Sequence, residues 1–298
     1  MNYFAFGLLA LIWGTTWVAI KYSLLGFPPF AGAMFRFAFA ALILTLYARL
    51  TGASLALRRE LLRHVIVTAI LLYVIDYGLI YWGEQYLNAG VTAILFASLP
   101  LATALVSTFA YQIEAFSYRR FAGILVGLAG IIIVFFDQLL ITSFSGKVIA
   151  AAIGILIAAI AAAFNSVIAK KHLMAIDTAT LTIHQLIWGT FGLAIIALVR
   201  GEFAAIELST SAVTALLYLG LAGSAFAFVV YYRLLRVMPA STLSTNTYIT
   251  PLVAVFTGWL SLGESISARA IVGALIIFAG IAITQFAPRR IAARSSHG

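Results

Sequence analysis

The lengths of the apolar runs in this chain decide most of what it can fold into. Ten such runs can be cut, near 3–21, 30–48, 64–83, 89–111, 118–136, 148–169, 178–199, 211–231, 240–260 and 268–286. Each is close to the roughly 17 to 25 residues that carry an α-helix across the hydrocarbon core of a bilayer. Inside that core the backbone finds no water, so a spanning segment must satisfy its own amides and carbonyls, as a helix does. Charged residues make up 9% of the 298 residues and the mean hydropathy is +1.11, whereas a soluble domain carries about 25% charged residues. The sequence therefore predicts an all-α polytopic membrane protein. The breaks between runs are too short to hold a soluble domain. The first run begins at Tyr3 with no basic leader and no small-residue cleavage site, so it is read as a retained helix rather than a signal peptide.

The net charge is +9, which in a soluble chain would suggest nucleic acid. Here the basic residues stand between the apolar runs, where they set orientation, and no nucleic-acid partner is expected. With a cytoplasmic N-terminus, the inner loops hold Arg49, Arg58, Arg59, Arg63, Arg119, Arg120, Lys170, Lys171, Arg233, Arg236, Arg289, Arg290 and Arg294, against Lys21, Lys147, Arg200 and Arg269 outside. That asymmetry places both termini in the cytoplasm. The chain has no cysteine, which removes disulfides and thiolate chemistry, and nothing in it calls for a metal or cofactor.

A second constraint is internal duplication. Tyr81, Ala89 and Pro100 recur as Tyr232, Ala240 and Pro251 at a constant separation of 151, and Glu114, Ser117, Gly123 and Gly130 recur as Glu264, Ser267, Gly273 and Gly280 at 150. Five spans per copy is an odd number, so the second copy must enter the membrane inverted. The expected architecture is ten helices as a 5+5 inverted repeat around a central cavity. Residues 1–137 form the first repeat, 138–146 a linker, 147–287 the second repeat and 288–298 a basic cytoplasmic tail. Pro100 and Pro251 fall inside apolar runs, where proline removes a ladder hydrogen bond and breaks the helix. Paired broken helices at membrane depth point to a transporter's binding site.

The run IWGTTWVAIKY (12–22), the segment PFAGAMFRF from Pro29 to Phe37, the fourth run with its SLPL, and the Glu114, Gly123, Gly130 spacing resemble the EamA family of the drug/metabolite transporter superfamily. The whole chain resembles ten-helix bacterial amino-acid exporters of the YddG type. In the second copy, AAAFNSVIAKK (161–171) lacks the Trp13–Gly14 pair of the first. The resemblance implies a multi-pass protein of the bacterial inner membrane that exports aromatic or other neutral amino acids, acts as a monomer and works by alternating access. It also makes an arginine at position 36 a standard feature of the second helix.

Candidate functional residues follow from the cost of placing polar groups among apolar ones. Arg36 sits inside a run, at about 2.5 to 3.5 kcal/mol on insertion scales, and reads either as a site charge or as a structural tie. Asp76 is the one acid well inside a helix, either a proton-coupling group or counter-ion, or a neutral hydrogen-bonded acid. Lys21 closes the first helix, with Lys171 in the corresponding place of the second copy; gating and interfacial snorkelling are both open readings. Among aromatics, Trp82 and Tyr232 suit an interfacial belt, while Trp13, Trp17, Tyr77 and Tyr248, with Tyr81 near the helix break, are candidates for a cavity lining. Ser244, Asn246 and their hydroxyl-bearing neighbours give the ninth run a polar start that suits water. Asn165, His184 and Trp188 complete the candidate set, with His184 read equally as a structural hydrogen bond. Glu114 and Glu264 read as helix-end markers.

An aromatic, hydroxyl-rich and charge-poor interior suits small amphiphilic solutes, zwitterionic amino acids among them. A facilitative channel or uniporter for other small metabolites or drugs is the alternative, and proton antiport and facilitated diffusion both stay open. An intramembrane enzyme is disfavoured: there is no HExxH, no GxSxG and no cysteine, and one buried Asp forms no aspartyl dyad.

Overall fold

Short polar side chains ahead of the apolar runs start several of the helices. Ser145 accepts from Val148 N, Asp177 from Ala179 N and Thr180 N, and Ser209 from Ala212 N, each satisfying amides that a helix's first turn leaves open. The computed structural model describes residues 2–87, 89–134, 136, 145–250, 252–253 and 268–285. Among these the chain is helical, with no strand. The helices in order are α1 (Asn2–Ser23), α2 (Pro29–Leu50), α3 (Arg59–Gly83), α4 (Val91–Ala110), α5 (Tyr118–Val134), α6 (Gly146–His172), α7 (Thr178–Val199), α8 (Thr210–Val237), α9 (Ala240–Ser244) and α10 (Ala268–Gln285). Seven of them, α1 to α4 and α6 to α8, are long and apolar enough to cross a membrane. The fifth predicted span appears as the 17-residue α5, and the ninth is described only as α9, a 3-10 turn over Thr245–Tyr248 and the residues just beyond.

The helices pair as α2 with α7, α1 with α8, α6 with α3 and α4, and α5 with α10. The last pair meets backbone to backbone. A Cβ at Gly123 would lie 2.7 Å from the Gly280 carbonyl, and one at Gly130 would lie 2.8 Å from the Gly273 carbonyl. Where lipid removes the hydrophobic drive for association, such close approach supplies the packing. The start of α2 has no cap of its own, since Pro28 precedes it. Instead Glu202, from the α7–α8 connection, accepts Phe30 N and Ala31 N at 2.9 Å each and pairs with Arg200 at 3.0 Å.

Two spans carry π-helical turns, Ile70–Asp76 in α3 and Leu221–Phe226 in α8. A π-turn adds a residue to the helix and frees backbone groups, which is why such turns gather at functional sites. In α4 the helix over Ala89–Phe96 is interrupted at Ala97–Ser98 and resumes at Leu99. Pro100 takes a place in the first turn of the resumed helix, where a missing N–H costs least. Pro251 and Glu264 lie outside the described residues.

Candidate functional site

The π-turns of α3 and α8 face a cavity of about 80 Å³ that α1, α4, α6 and the segment after α9 complete. From α1 come Trp13, Thr16, Trp17 and Ile20; from α3, Leu72, Asp76, Tyr77 and Ile80. Phe96 and Leu99 flank the break in α4, and Ala162, Asn165 and Ser166 look in from α6. Phe228 and Tyr231 enter from α8, and Thr247 and Thr250 from the chain beyond α9.

Each aromatic in this wall is held by a neighbour. Trp13 stands 5.9 Å from Phe228 and 5.5 Å from Tyr231, ring centre to ring centre, and donates its indole N–H to the Gly223 carbonyl at 3.3 Å. Trp17 meets Phe96 edge-on at 5.8 Å. The Tyr231 hydroxyl and the Ser166 hydroxyl are 2.6 Å apart, and Ser166 also donates to the Ala162 carbonyl at 2.8 Å. Behind the wall, Tyr232 donates to Asn165 Oδ1 at 3.5 Å.

Arg36 lies behind Tyr77 and is fully buried. Its Nε donates to Ser224 Oγ at 2.8 Å, its Nη2 to the Gly223 carbonyl at 3.3 Å, and its guanidinium carbon stands 4.7 Å from the Tyr77 ring centre and 5.1 Å from that of Phe37. Ser224 in turn donates to the Leu219 carbonyl, five residues back. The π-turn of α8 thus supplies both groups that hold the arginine, and the Gly223 carbonyl it presents serves Trp13 as well. Asp76 is 2% exposed and lines the cavity from the end of the α3 π-turn. Its Oδ1 has no hydrogen-bond partner among the described residues.

Of the residues singled out from the sequence, Trp13, Trp17, Asp76, Tyr77 and Asn165 come together in this lining with Thr247 and Thr250 from the polar ninth run, and Arg36 backs it. The others stand elsewhere. Tyr248 donates to the Ile124 carbonyl at 2.8 Å with its ring over Gly127. Asn246 donates to the Phe6 carbonyl at 2.6 Å, and Ser244 to the Ser241 carbonyl at 2.9 Å. Tyr81 is fully buried beside Gly32. His184 Nε2 meets the Leu55 carbonyl at 2.9 Å, tying the α2–α3 connection to α7, and Trp188 stands against Phe191, whose side chain is exposed. Glu114 bonds Arg120 at 2.8 Å and accepts from Ser241 N and Ser241 Oγ, so it caps α9.

Lys21 lies away from the cavity and donates to the Glu84 and Leu87 carbonyls, where α3 ends. The contacts that match it are those of Lys170, which donates to the Leu235, Arg236 and Met238 carbonyls where α8 ends. Lys171, expected as its mate, lies beside Tyr111 instead. The lining also holds residues that the sequence reading did not single out, among them Thr16, Phe96, Ser166 and Phe228. Only the run of hydroxyl and aromatic residues inside apolar spans could have pointed to them.

Comparison with known proteins agrees with this geometry. The pattern of the EamA-like transporter family matches residues 2–136 and again residues 149–286. The chain is 28% identical to "Uncharacterized transporter YoaV" of Bacillus subtilis, covering 93% of this chain and 94% of that protein. It is 29% identical to "Uncharacterized inner membrane transporter YedA" of Escherichia coli K12, covering 93% and 88%. It is also 28% identical to "WAT1-related protein At3g02690, chloroplastic" of Arabidopsis thaliana, covering 92% and 67%. One solved crystal structure superposes over 95% of this chain and 96% of its own with a TM-score of 0.78 at 16% identity, which shows a shared fold. Apolar spans, a cavity walled by them and a family pattern met twice lead to one conclusion: this multi-pass membrane protein belongs to the EamA-like transporter family.

Proposed function

We propose that the protein exports small amphiphilic metabolites, foremost neutral and aromatic amino acids, from the cytoplasm across the bacterial inner membrane. The observation that carries this reading is Asp76, an acid lining a buried cavity that is otherwise walled mostly by aromatic, hydroxyl-bearing and aliphatic side chains. An acid there meets an ammonium group. The indole and phenyl faces of Trp13, Trp17 and Phe228 accept an apolar side chain, and the Arg36 charge behind Tyr77 favours a nearby carboxylate.

In this reading ten spans form two five-span units, residues 1–137 and 147–287, related by inversion and joined by 138–146, with both termini and the 288–298 tail in the cytoplasm. The molecule works as a monomer. Rocking of the units about the cavity opens it to one face at a time. The twofold family match, the π-turns at corresponding places in α3 and α8, and the matching contacts of Lys21 and Lys170 support the arrangement. Lys21 and Lys170 then act as ties at the ends of α3 and α8 on opposite faces.

Proteoliposomes loaded with unlabelled phenylalanine test the reading. Saturable uptake of labelled phenylalanine, accelerated by the internal pool, is expected. A conductance linear in concentration, with no acceleration, supports a channel instead, and no flux with any neutral amino acid removes the substrate assignment.

A further inference from the structure

The Lys21 and Lys170 contacts match in their backbone partners but differ in the acid beside them. Near Lys170 the acid is Glu114, whose carboxylate is fully engaged by Arg120 and by Ser241 N and Oγ. Near Lys21 it is Glu84, in the turn that follows α3. Glu84 is 1% exposed, and both of its carboxyl oxygens lack a hydrogen-bond partner among the described residues. The Lys21 ammonium bonds the main-chain carbonyls of Glu84 and Leu87 and not the Glu84 carboxyl.

That arrangement suits a neutral acid. The Lys21 charge is spent on helix-end carbonyls, where a cation is favoured, and a protonated carboxyl beside it needs no counter-ion. An ionised carboxylate in the same place would be a buried charge without a bonded partner, which desolvation strongly disfavours. The cation that acts on it most strongly is Lys21, ahead of Arg36, and a charge-assisted bond between the two outweighs a bond from the ammonium to a neutral carbonyl. Ionisation therefore draws Lys21 off the Leu87 carbonyl toward the Glu84 carboxylate, leaving α1 tied at Glu84 and the Leu87 end of the turn free.

We propose that Glu84 is a proton-binding site that sets a latch: with Glu84 protonated, Lys21 fastens both ends of the 84–87 turn to the end of α1, and with Glu84 ionised the lysine moves to the carboxylate, lets go of the Leu87 carbonyl and releases the Leu87 end of the turn. The proton passes between the carboxyl and the water reached at the exposed Gln85. Burial pushes the Glu84 carboxyl above the ordinary carboxylate range, and the neighbouring Lys21 and Arg36 charges offset this only in part. The charged and titratable groups facing it are Lys21 of α1, Arg36 of α2 and Tyr81 of α3, with Lys147 of α6 one step away over the Tyr86 ring. The latch deepens the transport reading: it places a proton-linked gate at the end of α3 and leaves the corresponding end of α8 insensitive to pH.

Because the chain has no cysteine, a single Leu87→Cys substitution reports on the turn, and Gln85→Cys, at an exposed position, corrects for the pH dependence of the thiol itself. The full-length protein in lipid vesicles is labelled with a charged maleimide between about pH 6 and about pH 9.5. The expected result is a Leu87→Cys to Gln85→Cys rate ratio that rises at least about fivefold with pH and stays flat when Glu84→Gln is added. With Lys21→Met the ratio is expected to be high throughout, and this second variant decides the matter should Glu84→Gln fail to insert. A flat ratio with Glu84 present, an unchanged rise in Glu84→Gln, or a low ratio in Lys21→Met each overturns the latch. These outcomes do not depend on phenylalanine flux, so a working latch without flux counts against the substrate reading alone, and flux without a latch counts against this proposal alone.

Discussion

At the scale of single residues, what separates site from scaffold is where a polar tip points. Asp76 and Tyr248 are both polar side chains in apolar surroundings, yet Asp76 lines the cavity, with Oδ1 unbonded among the described residues, while the Tyr248 hydroxyl is bonded to the Ile124 carbonyl. Asp76→Ala is therefore expected to lower phenylalanine counterflow at least about tenfold with membrane expression retained, as read by uptake against immunoblot. Tyr248→Phe is expected to leave counterflow near its original rate and to lower thermal stability by about 0.5 to 1.5 kcal/mol, the net worth of one buried hydrogen bond to a carbonyl that keeps its place in the α5 helix. A thermal-shift measurement on the purified protein checks this, and equal stability would mean that the hydroxyl is dispensable. Arg36→Lys keeps the charge but loses the planar fork that reaches Ser224 and the Gly223 carbonyl together. Its expected effect is a raised half-saturation concentration for counterflow.

At the scale of elements, the all-helical character, the seven membrane-length spans among the described residues and the place of the α4 break were legible from run lengths and from Pro100, because the bilayer fixes how long a span must be. Which side of each span faces the cavity was not. α1 and α2 carry almost no polar–apolar asymmetry around their axes, since lipid and protein interior are equally apolar to a side chain. Trp13, Trp17, Tyr77, Asp76 and Asn165 could be found as polar or aromatic groups inside spans, but the same signal picked out Asn246, Tyr248 and His184, which serve backbone carbonyls. The π-turns that bring Ser224, the Gly223 carbonyl and Asp76 to the site have no proline or motif to announce them. Remote capping was equally hidden: Glu202 closes the start of α2 from 171 residues away. Glu202→Gln keeps the shape but removes the charge facing two helix-start amides, and a loss of about 1 kcal/mol in thermal stability is expected, with counterflow unchanged.

At the scale of the whole molecule, the two stretches that match the family pattern share a cavity lined by spans drawn from both, α1, α3 and α4 from one and α6 and α8 from the other. A solute held there is carried only if each stretch can move against the other and expose the cavity to either face. Ser166, buried on the α6 side of the lining, is the position at which to observe this, in a chain that offers no competing thiol. The measurement is labelling of Ser166→Cys by a membrane-impermeant maleimide, applied to one face of the membrane and then to the other, with and without saturating phenylalanine. The account predicts labelling from both faces, slowed severalfold from each by the amino acid; labelling from neither face, or rates that phenylalanine leaves untouched, would contradict it.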